Sequence, residues 1–147
     1  MMNIPAQHIL KGIKNNSCIA FMFAYSQKNV ERMISYCNPG GSIYFEPLGD
    51  EGRGTIGVLG KQMFNAFTES FPDMNSMLYT AIKENEHTVR CVATARGTQH
   101  KPFAGIPSKG RRFYSDYILI FKLDRNKKIN SINISWDHHE LKAQLGS

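Results

Sequence analysis

GTQHKPFAGIPSKGRRFYSDYILIFKLDRNKKINSINISWDHHELKAQLG, residues 97–146, decides how the rest of the chain is read. Within it, Phe113 to Leu123 and Lys128 to Ser135 are rich in β-branched and aromatic residues, and Asp124 to Lys127 has the composition of a tight turn, so two paired strands are expected. Tyr117, Leu119 and Phe121 fall on one face of the first strand, Ile118 and Ile120 on the other. Both faces are apolar. One is therefore expected to bury a ligand cavity and the other a second subunit. Asp137 is placed to cap a short terminal helix that ends at Gln144-Leu145-Gly146.

Working backwards, Met74 to Lys83 and His87 to Thr98 read as two further strands, joined by Glu84-Asn85-Glu86. Before them the period changes from two to 3.6. Ile56, Leu59, Met63, Phe64 and Phe67 mark an amphipathic helix stopped near Phe71-Pro72, and Val30, Met33, Ile34 and Cys37 mark an earlier one stopped by Asn38-Pro39-Gly40-Gly41. A first helix over His8 to Lys14 and Ile19 to Tyr25, broken at Asn15-Asn16-Ser17, precedes both. Between the second and third helices, Ser42 to Glu46 reads as a strand ended by Pro47. Helices followed by an antiparallel meander give an α+β class, with the helices on one face of the sheet.

The chain has 147 residues, 41% of them hydrophobic, and neither a linker nor a repeat divides it, so a single domain over residues 1–147 is expected. The opening MMNIPAQ lacks the pattern of a signal peptide, and the longest apolar run, Cys18 to Tyr25, is far shorter than the roughly 18 residues a membrane span needs. The expectation is a cytoplasmic protein with no membrane partner. Cys18, Cys37 and Cys91 sit in apolar patterns without Cys-x-x-Cys spacing and read as reduced core thiols. The formal charge is +6, part of it concentrated in the loop Lys101 to Arg112, which would attract phosphates or acidic partners. Aromatic residues follow core periodicity rather than interleaving with a basic stripe, so nucleic acid is not the expected partner.

Three motifs suggest cofactors or covalent chemistry and are read otherwise. Gly52-x-Gly54-x-x-Gly57 matches a dinucleotide fingerprint, but an antiparallel meander follows where a parallel βαβ unit is required. The glycines are expected to form a flexible lip beside a pocket. Asp137, His138, His139 and Glu140 are rich in metal ligands, yet adjacent histidines diverge by about 100° on a helix, and a second histidine at the metalloprotease spacing is replaced by Ala143. The histidines are expected on the exposed turn of the capped helix, with no metal. Ser42 and Ser108 lack the Gly-x-Ser-x-Gly turn of a nucleophilic hydrolase. No metal, flavin or nicotinamide requirement is legible.

Acid–base chemistry or simple binding is left. Glu46 ends the apolar run Ile43-Tyr44-Phe45, where a half-buried carboxylate would have a raised pKa and act as a base. Tyr25, Tyr117 and Trp136 offer polar tips to a ligand.

The order and spacing of Phe71-Pro72-Asp73, Gly105-Ile106-Pro107, Gly110-Arg111-Arg112 and Gln144-Leu145-Gly146 resemble the SnoaL-like polyketide cyclases of the nuclear transport factor 2-like superfamily. The resemblance implies a cone of curved antiparallel sheet closed by three N-terminal helices, an apolar pocket at the wide end, and homodimers paired through their sheets. Tyr25 and Glu46 correspond to positions around that pocket, and Gly97-Thr98-Gln99, with His100 one place later, stands where many members carry Gly-Thr-His. The implied ligand pocket takes Phe64 and Phe67 from the third helix, Gln99 and His100 from the loop, and Leu119, Ile134 and Trp136 from the last strands. Ile134 and Leu119 occupy the places of the cyclases' acid–base aspartate and histidine, and neither can transfer a proton.

The expected function is binding of a small hydrophobic ring or polyketide-like molecule. If cyclisation or isomerisation follows, Glu46 is the base and Tyr25 and Tyr117 donate hydrogen bonds to a developing enolate. The alternative is a non-catalytic dimeric ligand-binding or interaction module, favoured by Leu119 and Ile134. A third reading is phosphate or nucleic-acid binding at Lys101 to Arg112.

Overall fold

The structure, a computed structural model, describes residues 16–147. Helix α1 (Ser17–Ser26) starts where the expected break lies: the Asn16 side chain accepts a hydrogen bond from the Cys18 backbone N–H, a helix cap. The expected helical segment over residues 8–14 lies outside the described residues. Helix α2 (Val30–Ser35) is capped in the same way by Asn29, which accepts from Arg32 N–H.

Cys37 does not extend α2, and Asn38-Pro39-Gly40-Gly41 is not a stop. All five residues belong to strand β1 (Cys37–Phe45). Its register against the neighbouring strand shifts between Cys37 and Ser42. An irregular stretch tolerates Pro39, whose missing N–H then costs no ladder bond.

A 3₁₀ segment (Glu46–Gly52) and the short strand β2 (Arg53–Thr55) follow, then one π-helical turn (Ile56–Gly60) that runs into α3 (Lys61–Ser70). The meander is β3 (Asn75–Asn85), β4 (Thr88–Thr98), β5 (Arg112–Leu123) and β6 (Ile129–Trp136), closed by helix α4 (His138–Gln144). The turn before β6 is organised by Asp124, whose carboxylate accepts from Asn126 N–H, Lys128 N–H and the Asn38 side chain. Those donors hold its pKa below the usual carboxylate range, the Asn38 contribution being largest.

The six strands lie in the order β2-β1-β6-β5-β4-β3, an open curled sheet with β2 and β3 at its edges. Within the meander every pair is antiparallel, while β1 runs parallel to β6. This is the α+β architecture expected, with β1 added through a long crossover.

Burial follows strand parity. Tyr117, Leu119, Phe121 and Leu123 face the helices and are buried, whereas Ile118 and Ile120 on the other face are half-exposed. Phe21 on α1 links the layers, meeting Phe64 at 5.7 Å and Phe121 at 5.2 Å edge to face, and it is fully buried. Burial of one such ring contributes roughly 1.5–3 kcal/mol.

The glycine series is not a flexible lip. Strand β2 pairs antiparallel with β1, so no βαβ unit forms. A Cβ at Gly54 would lie 2.8 Å from Leu59 Cβ, and one at Gly57 2.9 Å from Pro39 Cβ. These glycines allow close packing beside β1, and none of the three borders the internal cavity.

Candidate functional site

Inside the cone, between α1, α3 and the inner face of β4, β5 and β6, lies a cavity of about 50 Å³. Tyr25 on α1 and Phe64 and Phe67 on α3 form one wall, and Leu119 on β5 with Ile134 and Trp136 on β6 form the opposite one. Leu119 and Ile134 are direct cross-strand partners on the inner face and both are buried. Two surface depressions, of about 350 Å³ and 560 Å³, are larger, but their walls mix charged and apolar groups. The internal cavity is the one built from convergent apolar side chains.

Its polar groups are few. The rings of Tyr25 and Tyr117 meet edge to face at 6.0 Å. The Tyr117 hydroxyl shares a hydrogen bond with Ser76 Oγ, itself buried on β3. Burial pushes both phenols well above their ordinary pKa; Tyr117 raises Tyr25 further, while the Ser76 hydrogen bond offsets part of the shift at Tyr117. Both are therefore neutral O–H groups near pH 7, suited to donate a hydrogen bond and unsuited to accept a proton. Ser115 is the remaining polar lining residue.

Three expected site residues stand elsewhere. Glu46 is exposed at the start of the 3₁₀ segment, where its carboxylate accepts from Asn133 Nδ2. Strand alternation explains the placement: Phe45 points into the core, so the next residue points out. His100 is exposed, and its backbone N–H donates to Ser70 C=O at 2.7 Å.

Gln99 is buried beneath the loop rather than on the cavity wall; its Nε2 donates to the carbonyls of Lys101 and Ile106 at 3.0 and 2.8 Å. Its Oε1 has no hydrogen-bond partner among the described residues. Flipping the amide would face that oxygen with two carbonyls, so the donor arrangement fixes it.

Phe71, Met74, Ala95, Phe103, Phe113 and Leu141 complete the lining. Phe103 and Leu141 lie in segments that looked like surface, a Gly/Pro loop and a short polar helix. An isolated aromatic among turn residues was the one available signal.

Helix α4 is capped as expected, Asp137 accepting from Glu140 N–H at 2.9 Å. His138, however, is half-buried, and its Nδ1 accepts from Trp136 Nε1 at 3.1 Å. Burial lowers its pKa, with Lys142 adding to the effect. A histidine whose folded pKa is depressed contributes stability above the ordinary imidazole value of about 6.5 and loses it as pH falls below that value. Emission from Trp136, the sole tryptophan, is expected to change on acidification with a midpoint below 6.5, the ordinary value, and to lose that step in His138→Phe. A midpoint above it would contradict the assigned hydrogen bond.

Gln144 explains the terminal motif. Its Oε1 accepts from Tyr114 N–H and its Nε2 donates to Tyr114 C=O, pairing with the β5 edge beyond the end of β6. Lys109 Nζ donates to Gly146 C=O at 2.6 Å, which ties the basic loop to the end of α4. Among the described residues no three His, Cys, Asp or Glu converge as a metal site, and no helix is long and apolar enough to cross a membrane.

The sequence pattern of the SnoaL-like polyketide cyclase family matches residues 22–145. No curated protein matches the chain. Among solved structures, a SnoaL-like polyketide cyclase candidate from Jannaschia sp. CCS1 is similar at a TM-score of 0.78 and 12% identity, covering 100% of this chain and 99% of that one. IdmH, a polyketide cyclase candidate from Streptomyces antibioticus, is similar at 0.70 and 23% identity, covering 89% and 96%. A protein of ketosteroid isomerase-like fold from Catenulispora acidiphila DSM 44928, solved with trimethylamine, is similar at 0.71 and 14% identity, covering 90% and 93%.

Proposed function

Since the chain belongs to the SnoaL-like polyketide cyclase family, we propose that its cone cavity binds a small, uncharged ring compound with one hydrogen-bond acceptor, such as a ketone oxygen. The observation that carries this reading is the pair of buried, protonated phenols, Tyr25 and Tyr117, in an otherwise apolar wall. Burying a charged ligand there would leave the charge without a counterion, at a cost of several kcal/mol. A carbonyl oxygen facing a phenol instead gains a hydrogen bond in a low-dielectric site. Donors held at that oxygen also stabilise negative charge developing on it, which is the contribution these residues make to cyclisation or isomerisation.

Glu46 is not assigned as the base, because its carboxylate stands on the surface. The resemblance puts Leu119 and Ile134 at the places of the family's acid–base pair, and among the described residues no carboxylate or histidine lines the cavity to take a proton from the substrate.

The test compares two tricyclic probes of nearly equal shape, fluorenone and the hydrocarbon fluorene, by thermal unfolding. A ligand that binds only the native state raises stability by RT ln(1 + [L]/Kd). Fluorenone is expected to shift the midpoint more than fluorene, and Tyr117→Phe or Tyr25→Phe to narrow that difference. Equal shifts from both probes in all three proteins would show that the phenols do not read the carbonyl.

A second reading, a dimeric module that binds without turnover, is favoured by the outer face of the sheet. Met77 and Ile82 are 57% and 49% exposed there, and they share that face with Val92, Ile118 and Ile120 across the β3–β4 and β4–β5 registers. Pairing of two copies through this face predicts a dimer by light scattering that Ile118→Glu converts to monomer. A monomeric wild-type protein at tens of micromolar would rule the pairing out. Dimerisation and ring binding use opposite faces and are compatible.

A further inference from the structure

We infer that the Phe103 ring is a removable plug that holds the place of a ligand's own planar ring. The inference rests on the cavity being the ligand site. An apolar cavity that takes one benzene-sized ring measures about 150 Å³, and the cavity as it stands has about 50 Å³. Something in the lining has to move before any ring compound fits. Most of the wall is built from residues on helices and paired strands, whose displacement would break the core.

Phe103 differs. It is carried on residues 99–111, the segment between β4 and β5 that contains neither helix nor strand. Lys101, Pro102, Ala104 and Gly105 around it are exposed, yet its own ring is 3% exposed. The ring lies tilted against Phe67 at 4.7 Å with an interplanar angle of 37°, and meets Phe71 edge to face at 5.6 Å. The ring thus holds a close aromatic contact on Phe67, within the roughly 4.5–7 Å range of favourable ring pairs, that a planar ligand could take over.

The segment is also built to move as a unit. Phe103 and Ile106 exchange backbone hydrogen bonds of 3.0 and 2.8 Å across a two-residue turn. Ala104 and Gly105 at its tip both have positive φ, +50° and +79°, a conformation that alanine disfavours. At the far end Gly110 has φ +68°, and neither Gly105 nor Gly110 has any atom within 4 Å of an added Cβ. At these two glycines the segment therefore has open space where a side chain would stand.

What holds it down is a set of polar ties, Ser70 Oγ to Pro102 C=O, Ser70 C=O from His100 N–H, the Lys101 and Ile106 carbonyls that accept from Gln99 Nε2, Ser108 Oγ to Gln99 C=O, Arg111 C=O from Gln99 N–H and Lys109 Nζ to Gly146 C=O, together with the buried Ile106 side chain. The same Gln99 carries the buried Oε1 without a partner among the described residues. A plugged form and an open form, biased by a ring that replaces Phe103, account for these features together.

The experiment uses fluorenone and the full chain. Amide exchange is measured in the wild-type protein with and without saturating fluorenone. The amides of Phe103 and Ile106 are expected to lose protection by about tenfold on binding, while core amides such as Leu119 gain it. Stopped-flow quenching of Trp136 emission supplies the kinetic arm. Its rate is expected to level off with fluorenone concentration in the wild type, at the opening rate, and to rise without limit in Phe103→Ala. If protection at Phe103 and Ile106 instead rises with the rest, the plug is wrong, whether or not Phe103→Ala folds. Fluorenone binding without any change at these amides overturns the plug and leaves the cavity reading standing; no binding to either protein removes both.

Discussion

Ile134→Asp is expected to lower the stability of the protein by about 3–5 kcal/mol at pH 7, the cost of a buried charge without a partner. Ile134 is 3% exposed and faces Leu119 across the β5–β6 ladder. The new carboxylate would sit on a wall whose polar side-chain groups, among the described residues, are the hydroxyls of Tyr25, Tyr117 and Ser115 and the indole N–H of Trp136, which is already given to His138. Desolvation raises the pKa of such an acid above its unfolded value of about 3.9. A carboxyl whose folded pKa is raised costs nothing below its unfolded pKa and destabilises as pH rises through the folded value. The deficit in thermal midpoint, about 2–4 °C per kcal/mol for a chain of this size, should therefore shrink towards pH 4 and widen towards pH 8. Leu119→His added on the facing strand supplies a partner and should recover part of the loss. A single variant as stable as the wild type at pH 7 would mean that the wall is wet, and the argument for an uncharged ligand would fall with it.

Phe64→Ala is expected to cost a similar amount, about 3–5 kcal/mol, as removal of a fully packed aromatic ring does. Phe64 is 1% exposed and touches the rings of Phe21, Tyr25, Phe45 and Phe67, at 5.7, 5.4, 5.7 and 6.3 Å. It is the residue through which α1, α3 and β1 pack on one another. Denaturant unfolding should show a lower midpoint with an unchanged slope. The space left behind joins the cavity, so toluene should restore part of the stability in the variant and little in the wild type. A cost below about 1 kcal/mol would mean that the aromatic cluster relaxes into the gap and does not set the cavity's shape.

The fold was legible because its two periods are clean. Ile56, Leu59, Met63, Phe64 and Phe67 at helical spacing and Tyr117, Leu119 and Phe121 at strand spacing each report a face turned to the core; in the structure Ile56, Phe64 and the three strand residues are buried, and Leu59, Met63 and Phe67 are half-buried against them. The register that sets Leu119 opposite Ile134 follows from the turn at Asp124 and the alternation around it. Strand β1 was only half legible. Pro39 and the glycines beside it look like a helix stop, and nothing local announces that an irregular strand absorbs them.

The site was less legible than the fold, for one geometric reason. Sequence adjacency places a residue on an element but does not aim its side chain. Glu46 follows a buried strand and was read as half-buried, although alternation after Phe45 sends it outward to Asn133. Gln99 and His100 were taken as pocket residues, whereas one clamps the following loop from beneath and the other faces solvent. Ser76 behind Tyr117 and Phe103 on the loop depend on contacts across 41 residues and on a chain reversal respectively, and neither carries a local pattern.

The most direct test of the central claim is titration of Trp136 emission with fluorenone in the wild-type protein and in Ala95→Leu. Trp136 lines the cavity edge to face with Phe67 at 5.9 Å, and Ala95 faces the same space from β4. An uncharged ring bound inside the cone should quench the wild-type emission saturably, and the added leucine side chain should abolish the saturable phase. Quenching that stays linear in fluorenone, or is the same in both proteins, would contradict a ligand site in the cone.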